Sequence, residues 1–153
     1  MTTIVGDWSR KIIVADTQIS DDDSDTKTYN NEKVFKVPQG LLAGAGDFIS
    51  IQQVVEWFKD NKKGKPPIIK DADDADFMLL THDGLYVSGK DLRFQTITKH
   101  DALGSGTKAA LAVMALGHSA EEAVWAATQS DLYSGEPVKV YYLDKEPTVY
   151  TKG

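Results

Sequence analysis

The run Ile12-Ile13-Val14-Ala15 contains no polar side chain, and this constrains the fold more than any other feature. A strand that is apolar at every position has both faces out of water, so it needs cover above and below. Residues 2–7 and 11–16, separated by Trp8-Ser9-Arg10-Lys11, are rich in β-formers and read as a hairpin. Ile4 and Val5 already look like core, so the chain enters a strand almost at once.

The rest of the pattern supplies the cover. Residues 21–32 (DDDSDTKTYNNE) read as a polar loop, and KVFKV and GLLAGAG as a second hairpin turning at Pro38-Gln39-Gly40. Phe48, Ile49, Ile51, Val54, Val55, Trp57 and Phe58 then recur with helical spacing, ending in KDNKKGKPP. ADFMLLTHDGLYVSG places Asp83-Gly84 between two apolar runs and predicts another hairpin, with RFQTI as a following strand. DALGSGT reads as a turn. A helix follows from Thr107 to Gly117 and a second from the Ser119/Glu122 capping box to about Ser130. VKVYYL and TVY close the chain as strands. Strands and helices come in blocks instead of alternating, which indicates an α+β fold with stacked antiparallel sheets. One domain, 1–153, is expected, with 59–76 as a long surface loop.

Composition excludes several classes. With no cysteine, disulfides and thiolate zinc sites are out, and a reducing, cytoplasmic setting is expected. A net charge of −6 disfavours non-specific nucleic-acid binding. No apolar run reaches membrane-spanning length, and the N-terminus has no secretory pattern. His82, His100 and His118 share no metal-ligand spacing. Asp21, Asp23, Asp25 and Glu32 fall on EF-hand acidic positions, but Thr26 replaces the central glycine and the flanks read as strands, so a solvated loop is expected. GSGTK lacks the Walker spacing and reads as a tight turn starting a helix. No metal or cofactor is expected.

Thr2, Asp16 and Lys33 suggest chemistry as a unit. A threonine hydroxyl is a poor nucleophile without a base. A free α-amine titrates near ~8 and is partly neutral at physiological pH. If Thr2 became the first residue it would carry both nucleophile and base. A nearby lysine would lower the pKa of both groups, and a carboxylate would hold that lysine.

These residues fall in a pattern that resembles the proteasome β-subunit/HslV family of N-terminal threonine hydrolases. TTIVGD resembles the family's opening strand, with Thr2 as nucleophile. VADTQ and KVFKV resemble the segments carrying the active-site aspartate and lysine, Asp16 and Lys33. LLAGAGD resembles the oxyanion-hole stretch, with Gly46 as the donor. ALGSGT places Ser105 on the serine near the terminal amine, and DLYSG matches the family's D-x-x-S-G, with Asp131 and Ser134. The resemblance implies a four-layer αββα Ntn-hydrolase sandwich and a peptidase acting on peptide or unfolded protein. Phe35, Gly44 and Phe48 would line its specificity pocket. GKPPIIKDADDA stands where the family has a second helix, so a shortened first helical layer is expected, and ring assembly does not follow automatically. The chain opens Met-Thr, so no propeptide is expected and exposure of Thr2 is expected to require methionine removal. The other readings are an inactive proteasome-like scaffold or binding subunit and an amidase acting on small amides. A homo-oligomer is compatible with Trp125 and the Ala-rich helices packing against a neighbour, though these can equally pack internally. No ATPase-docking segment is identifiable.

Overall fold

In the computed structural model of the chain, residues 2–21, 26–28, 31–131 and 134–152 are described. Met1, Asp23 and Asp25 of the acidic loop, and Leu132 and Tyr133 of DLYSG lie outside them.

The all-apolar run is β2 (Ile12–Ala15), and each of its side chains is buried. It pairs antiparallel with β1 (Thr3–Asp7) in the register Ile4↔Ala15 to Asp7↔Ile12. Its other edge is taken by β11 (Val138–Tyr142). The sheet is completed by β10 (His100–Gly104) outside β1 and β12 (Thr148–Tyr150) outside β11. The second sheet is a meander of β5 (Val34–Val37), β6 (Gly40–Gly46), β7 (Ala75–Leu80), β8 (Leu85–Ser88) and β9 (Gln95–Ile97). The expected hairpin at Asp83-Gly84 joins β7 to β8, with Thr81 Oγ1 accepting from the N–H groups of Asp83 and Gly84.

Period-two alternation on the central strands separates three apolar interfaces. Ile13 and Ala15 of β2, Leu41, Ala43 and Ala45 of β6, and Met78 and Leu80 of β7 fill the space between the sheets. Ile12 and Val14 turn the opposite way, toward α2 (Thr107–Ala115) and α3 (Ala120–Ser130), and meet Ala110, Ala120, Ala123 and Val124. Leu42, Phe77 and Leu79 face α1 (Phe48–Lys59), packing with Val54, Val55 and Phe58. The layers are therefore helix, sheet, sheet, helix, as expected. The Ala-rich helices pack on their own sheet because their small side chains let the backbones come close. Ser119 accepts from the N–H of Glu122, and the Glu122 carboxylate accepts from the N–H of Ser119. Among the described residues the first helical layer holds α1 alone, and residues 60–74 follow it without a helix. Among the described residues, no helix is long and apolar enough to cross a membrane.

Two sequence expectations need correction. Asp101–Gly104 is not part of a turn but belongs to β10, paired from Thr3↔Gly104 to Asp7↔His100. Asp, Ala and Gly have weak β propensity, and an edge position beside β1 overrides it. Residues 21–32 are not loop throughout: β3 (Ile19–Asp21) and β4 (Thr26–Thr28) form a small antiparallel pair. Its backbone pairing leaves no apolar periodicity to read.

Phe58 is fully buried and meets Phe94 edge to face at 5.8 Å. Phe58→Ala should lower unfolding free energy by about 3–5 kcal/mol, read as an earlier urea midpoint with an unchanged slope.

Candidate active site

The two sheets carry their polar side chains to one end of the stack. Asp16 follows β2 directly, and Lys33 directly precedes β5 of the facing sheet. Lys33 Nζ lies 2.8 Å from Asp16 Oδ1. The side chains are 6% and 0% exposed. Asp16 Oδ1 also accepts from the Thr3 N–H at 2.9 Å. Its Oδ2 accepts from Gly135 N–H at 2.9 Å and Gln18 N–H at 3.3 Å. A carboxyl surrounded only by donors is in its ionised role. Burial pushes the Asp16 carboxyl upward, opposed by the charge and hydrogen bond of Lys33 and by the backbone donors. Burial also pushes Lys33 downward, opposed by Asp16 and more weakly by Asp131.

A second network meets the first at Thr3, and its Ser105 lines a cavity with Thr2. Ser105, at the end of β10, donates to Asp131 Oδ2 at 2.5 Å. Ser134 donates to the same oxygen at 2.6 Å. Because the Ser134 proton is committed to Asp131, the 2.6 Å contact between Thr3 Oγ1 and Ser134 Oγ has Thr3 as donor. Ser105 Oγ and Gly106 N each lie 3.4 Å from the Thr2 carbonyl oxygen. Gly104 makes this approach possible. Its φ is +95°, and a Cβ there would stand 2.0 Å from Thr2 O.

Thr2 is nearly buried but borders two cavities. One, of about 390 Å³, is lined by Thr2, Lys33, Phe35, Gly44, Gly46 and Phe48, with Ile51 and the acidic residues Glu32, Asp47, Asp73 and Asp74. The other, of about 700 Å³, is lined by Thr2, Gly46, Asp74, Asp76, Lys90 and Ser105 among others. Thr2, Gly46 and Asp74 border both. Gly46 has φ +120°, and a Cβ there would strike the Asp74 carbonyl oxygen at 2.2 Å. Ile51 packs where a Gly44 Cβ would point, at 2.8 Å, so it sets the floor of the smaller cavity.

Of the residues singled out from the sequence, Lys33, Phe35, Gly44, Gly46, Phe48 and Ser105 line the cavities that Thr2 borders, while Asp16, Asp131 and Ser134 join them through hydrogen bonds to Lys33, Ser105 and Thr3. Sequence reasoning missed Thr3, whose N–H and hydroxyl join the two networks, and Gly135 and Gln18, which hold Asp16. Their contribution is through backbone groups or a core-facing hydroxyl, which leave no pattern in a sequence. It also missed the acidic wall, which is assembled from segments distant in the chain.

No protein-family model matches the sequence, and no curated protein does. Solved structures share its fold. Thiobacillus denitrificans BPH in complex with epoxomicin matches at TM-score 0.73 and 20% identity, over 94% of this chain and 100% of that one. Thiobacillus denitrificans BPH also matches at TM-score 0.69 and 20% identity, over 95% and 99% of the two chains. HslV from Trypanosoma brucei matches at TM-score 0.69 and 16% identity, over 92% and 98%. The fold is therefore the proteasome-like Ntn sandwich, along nearly the whole chain.

Removing one member of a buried ion pair leaves the other uncompensated. Asp16→Asn should destabilise the protein by about 3–5 kcal/mol. Asp16→Asn combined with Lys33→Met should recover part of that loss, because the stranded charge is gone. Urea unfolding of the wild type, both single variants and the double variant measures the coupling.

Proposed function

We propose that this chain is an N-terminal threonine peptidase, cleaving peptide or unfolded-protein substrates through Thr2 once Met1 has been removed. The observation that carries this reading is the position of Thr2 at the junction of two cavities, between the Lys33–Asp16 pair and the Ser105–Asp131–Ser134 network. The shared fold with HslV and with the epoxomicin-bound BPH supports it.

In this mechanism Thr2 Oγ attacks the scissile carbonyl carbon. Its proton passes, through a water, to the α-amine of the same residue. Lys33 holds that amine below its usual pKa of about 8, so that it is neutral and ready to accept at physiological pH. The developing oxyanion takes a hydrogen bond from the Gly46 N–H, worth about 3–4 kcal/mol to the transition state. The carbon–nitrogen bond then breaks, and the ammonium returns its proton to the departing amine. Water, activated by the same amine, hydrolyses the Thr2 ester and restores the hydroxyl. In this reading Ser105 and Ser134, hydrogen-bonded to Asp131, accept from the ammonium and its water as the proton moves. A cytoplasmic setting and self-association belong to the same reading.

Intact mass and N-terminal sequencing should find Thr2 as the first residue. Epoxomicin, the ligand of the BPH structure, should then add to the wild type and not to Thr2→Ala, and that variant should lose at least about 1,000-fold in peptidase rate. A protein that keeps Met1 after incubation with methionine aminopeptidase has no base at Thr2, and that result would sink the peptidase reading in favour of a scaffold.

The smaller cavity combines apolar Phe35, Phe48 and Ile51 with Asp47, Asp73 and Asp74. Its lysine is already committed to Asp16. A side chain with an apolar stem and a cationic head fits this lining. Reporter peptides with arginine before the scissile bond should be cleaved about tenfold faster than those with glutamate, measured as kcat/KM at low salt.

A further inference from the structure

Lys33 is held from one side by Asp16, but the strand it opens is the outer strand of its sheet: among the described residues, β5 has only β6 beside it. The Lys33 carbonyl accepts from Gly44 N–H at a long 3.3 Å. The facing sheet does more to hold this segment. Asn31 donates through its N–H and its side-chain amide to the Thr17 carbonyl, at 2.9 and 3.1 Å. Glu32 reaches β11, where Oε1 accepts from Lys139 Nζ at 2.6 Å and Oε2 accepts from the Tyr141 hydroxyl. Lys139 and Tyr141 stand two residues apart and so share one strand face. They lie opposite Ala15 and Ile13 of β2, the strand that Asp16 directly follows.

We propose that Glu32 is a positioning residue for Lys33, tethering the start of β5 across the sheet interface to Lys139 and Tyr141 so that the ammonium stays on Asp16 and beside Thr2. The proposal rests on the threonine-hydrolase reading for its catalytic consequence. The tether joins the same two sheets that the Lys33–Asp16 pair joins, through the adjacent residue. Loss of it would remove the two hydrogen bonds that fasten residue 32 to the facing sheet and leave the adjacent ammonium less constrained. The protonation states suit the geometry. Partial burial pushes the Glu32 carboxyl up, but hydrogen bonds from Lys139 and Tyr141 and the Lys139 charge outweigh this and hold it below the usual glutamate range. Burial and Glu32 together push the Tyr141 hydroxyl far above its ordinary value, so it remains a donor. Glu32 also borders the cavity beside Thr2, so the tether stands at the edge of the space a substrate would enter.

The test compares Glu32→Ala, Glu32→Gln and Tyr141→Phe in the processed protein. Each is read by kcat and KM on a short reporter peptide, by the acidic limb of the pH–rate profile, and by acylation of Lys33 with a soluble amine reagent mapped by mass spectrometry. On a reporter with an uncharged residue before the scissile bond, which makes no use of the cavity's acidic lining, Glu32→Ala should lower kcat about tenfold with KM within about twofold. A less constrained Lys33 depresses the terminal amine less, so the acidic limb should move about half a unit or more to higher pH. Lys33 should be acylated several times faster. Glu32→Gln, which keeps an acceptor for Tyr141, should fall between Glu32→Ala and the wild type. Tyr141→Phe, which deletes one hydroxyl, keeps the test readable should Glu32→Ala not fold. A lower melting temperature with the pH limb and the Lys33 acylation rate both unchanged would overturn the proposal, leaving Glu32 as a fastening only. A wild type that neither cleaves reporters nor takes epoxomicin at Thr2 would sink the hydrolase reading alone. Faster Lys33 acylation in Glu32→Ala would still support the tether in that case.

Discussion

The polar end of this sandwich depends on one ion pair. Lys33 and Asp16 come from different sheets, stand 2.8 Å apart, and are almost wholly removed from water. A buried pair of this kind contributes little net stability, because the loss of hydration offsets most of the attraction. Its effect is on specificity. The two sheets can stack in only one translation that lets the ammonium meet the carboxylate while Thr3, Gln18 and Gly135 present their N–H groups to the remaining lone pairs. Any other stacking leaves a charge buried without a partner.

That requirement spreads outward. Because Asp16 takes the Thr3 N–H, the start of β1 is fixed, and with it the Thr2 side chain. β10 then reaches its end at Gly104, where the absent Cβ allows the backbone to pass against the Thr2 carbonyl. Ser105 follows at once and meets Asp131 at the end of α3. The same order of contacts ties the helical layer to the opening strand through Ser134 and Thr3. The apolar interfaces supply most of the driving force for folding, but they are tolerant of small slips. The polar networks are not, since each partially made one strands a buried donor or acceptor.

The short first helical layer has a separate consequence. With α1 alone on that side, Phe48, Ile49 and Ile68 are left exposed, and the cavity beside Thr2 is bounded by the segment around Asp73 and Asp74 instead of a further helix. Two of the four acidic residues of that cavity, Asp73 and Asp74, therefore come from a piece of chain whose sequence, between Gly64 and Ala75, carries no helical periodicity.

By itself the sequence determined what local pattern can encode. The apolar run at 12–15 required cover on both faces, the hairpins at Pro38-Gln39-Gly40 and Asp83-Gly84 were marked by turn residues, and Ser119 with Glu122 announced a helix start. Short motifs also pointed to Thr2, Asp16, Lys33, Gly46, Ser105, Asp131 and Ser134. The tertiary structure alone decided what depends on neighbours distant in the chain. Residues 101–104 are a strand because β1 offers an edge there, against their own propensity. Thr3, Gln18 and Gly135 became ligands of Asp16 through groups that every residue type, or nearly every one, possesses. Glu32 found Lys139 and Tyr141 more than a hundred residues away. Hydrophobic period and turn chemistry act over a few residues and are written along the chain, whereas hydrogen bonds between layers exist only once the sheets have stacked.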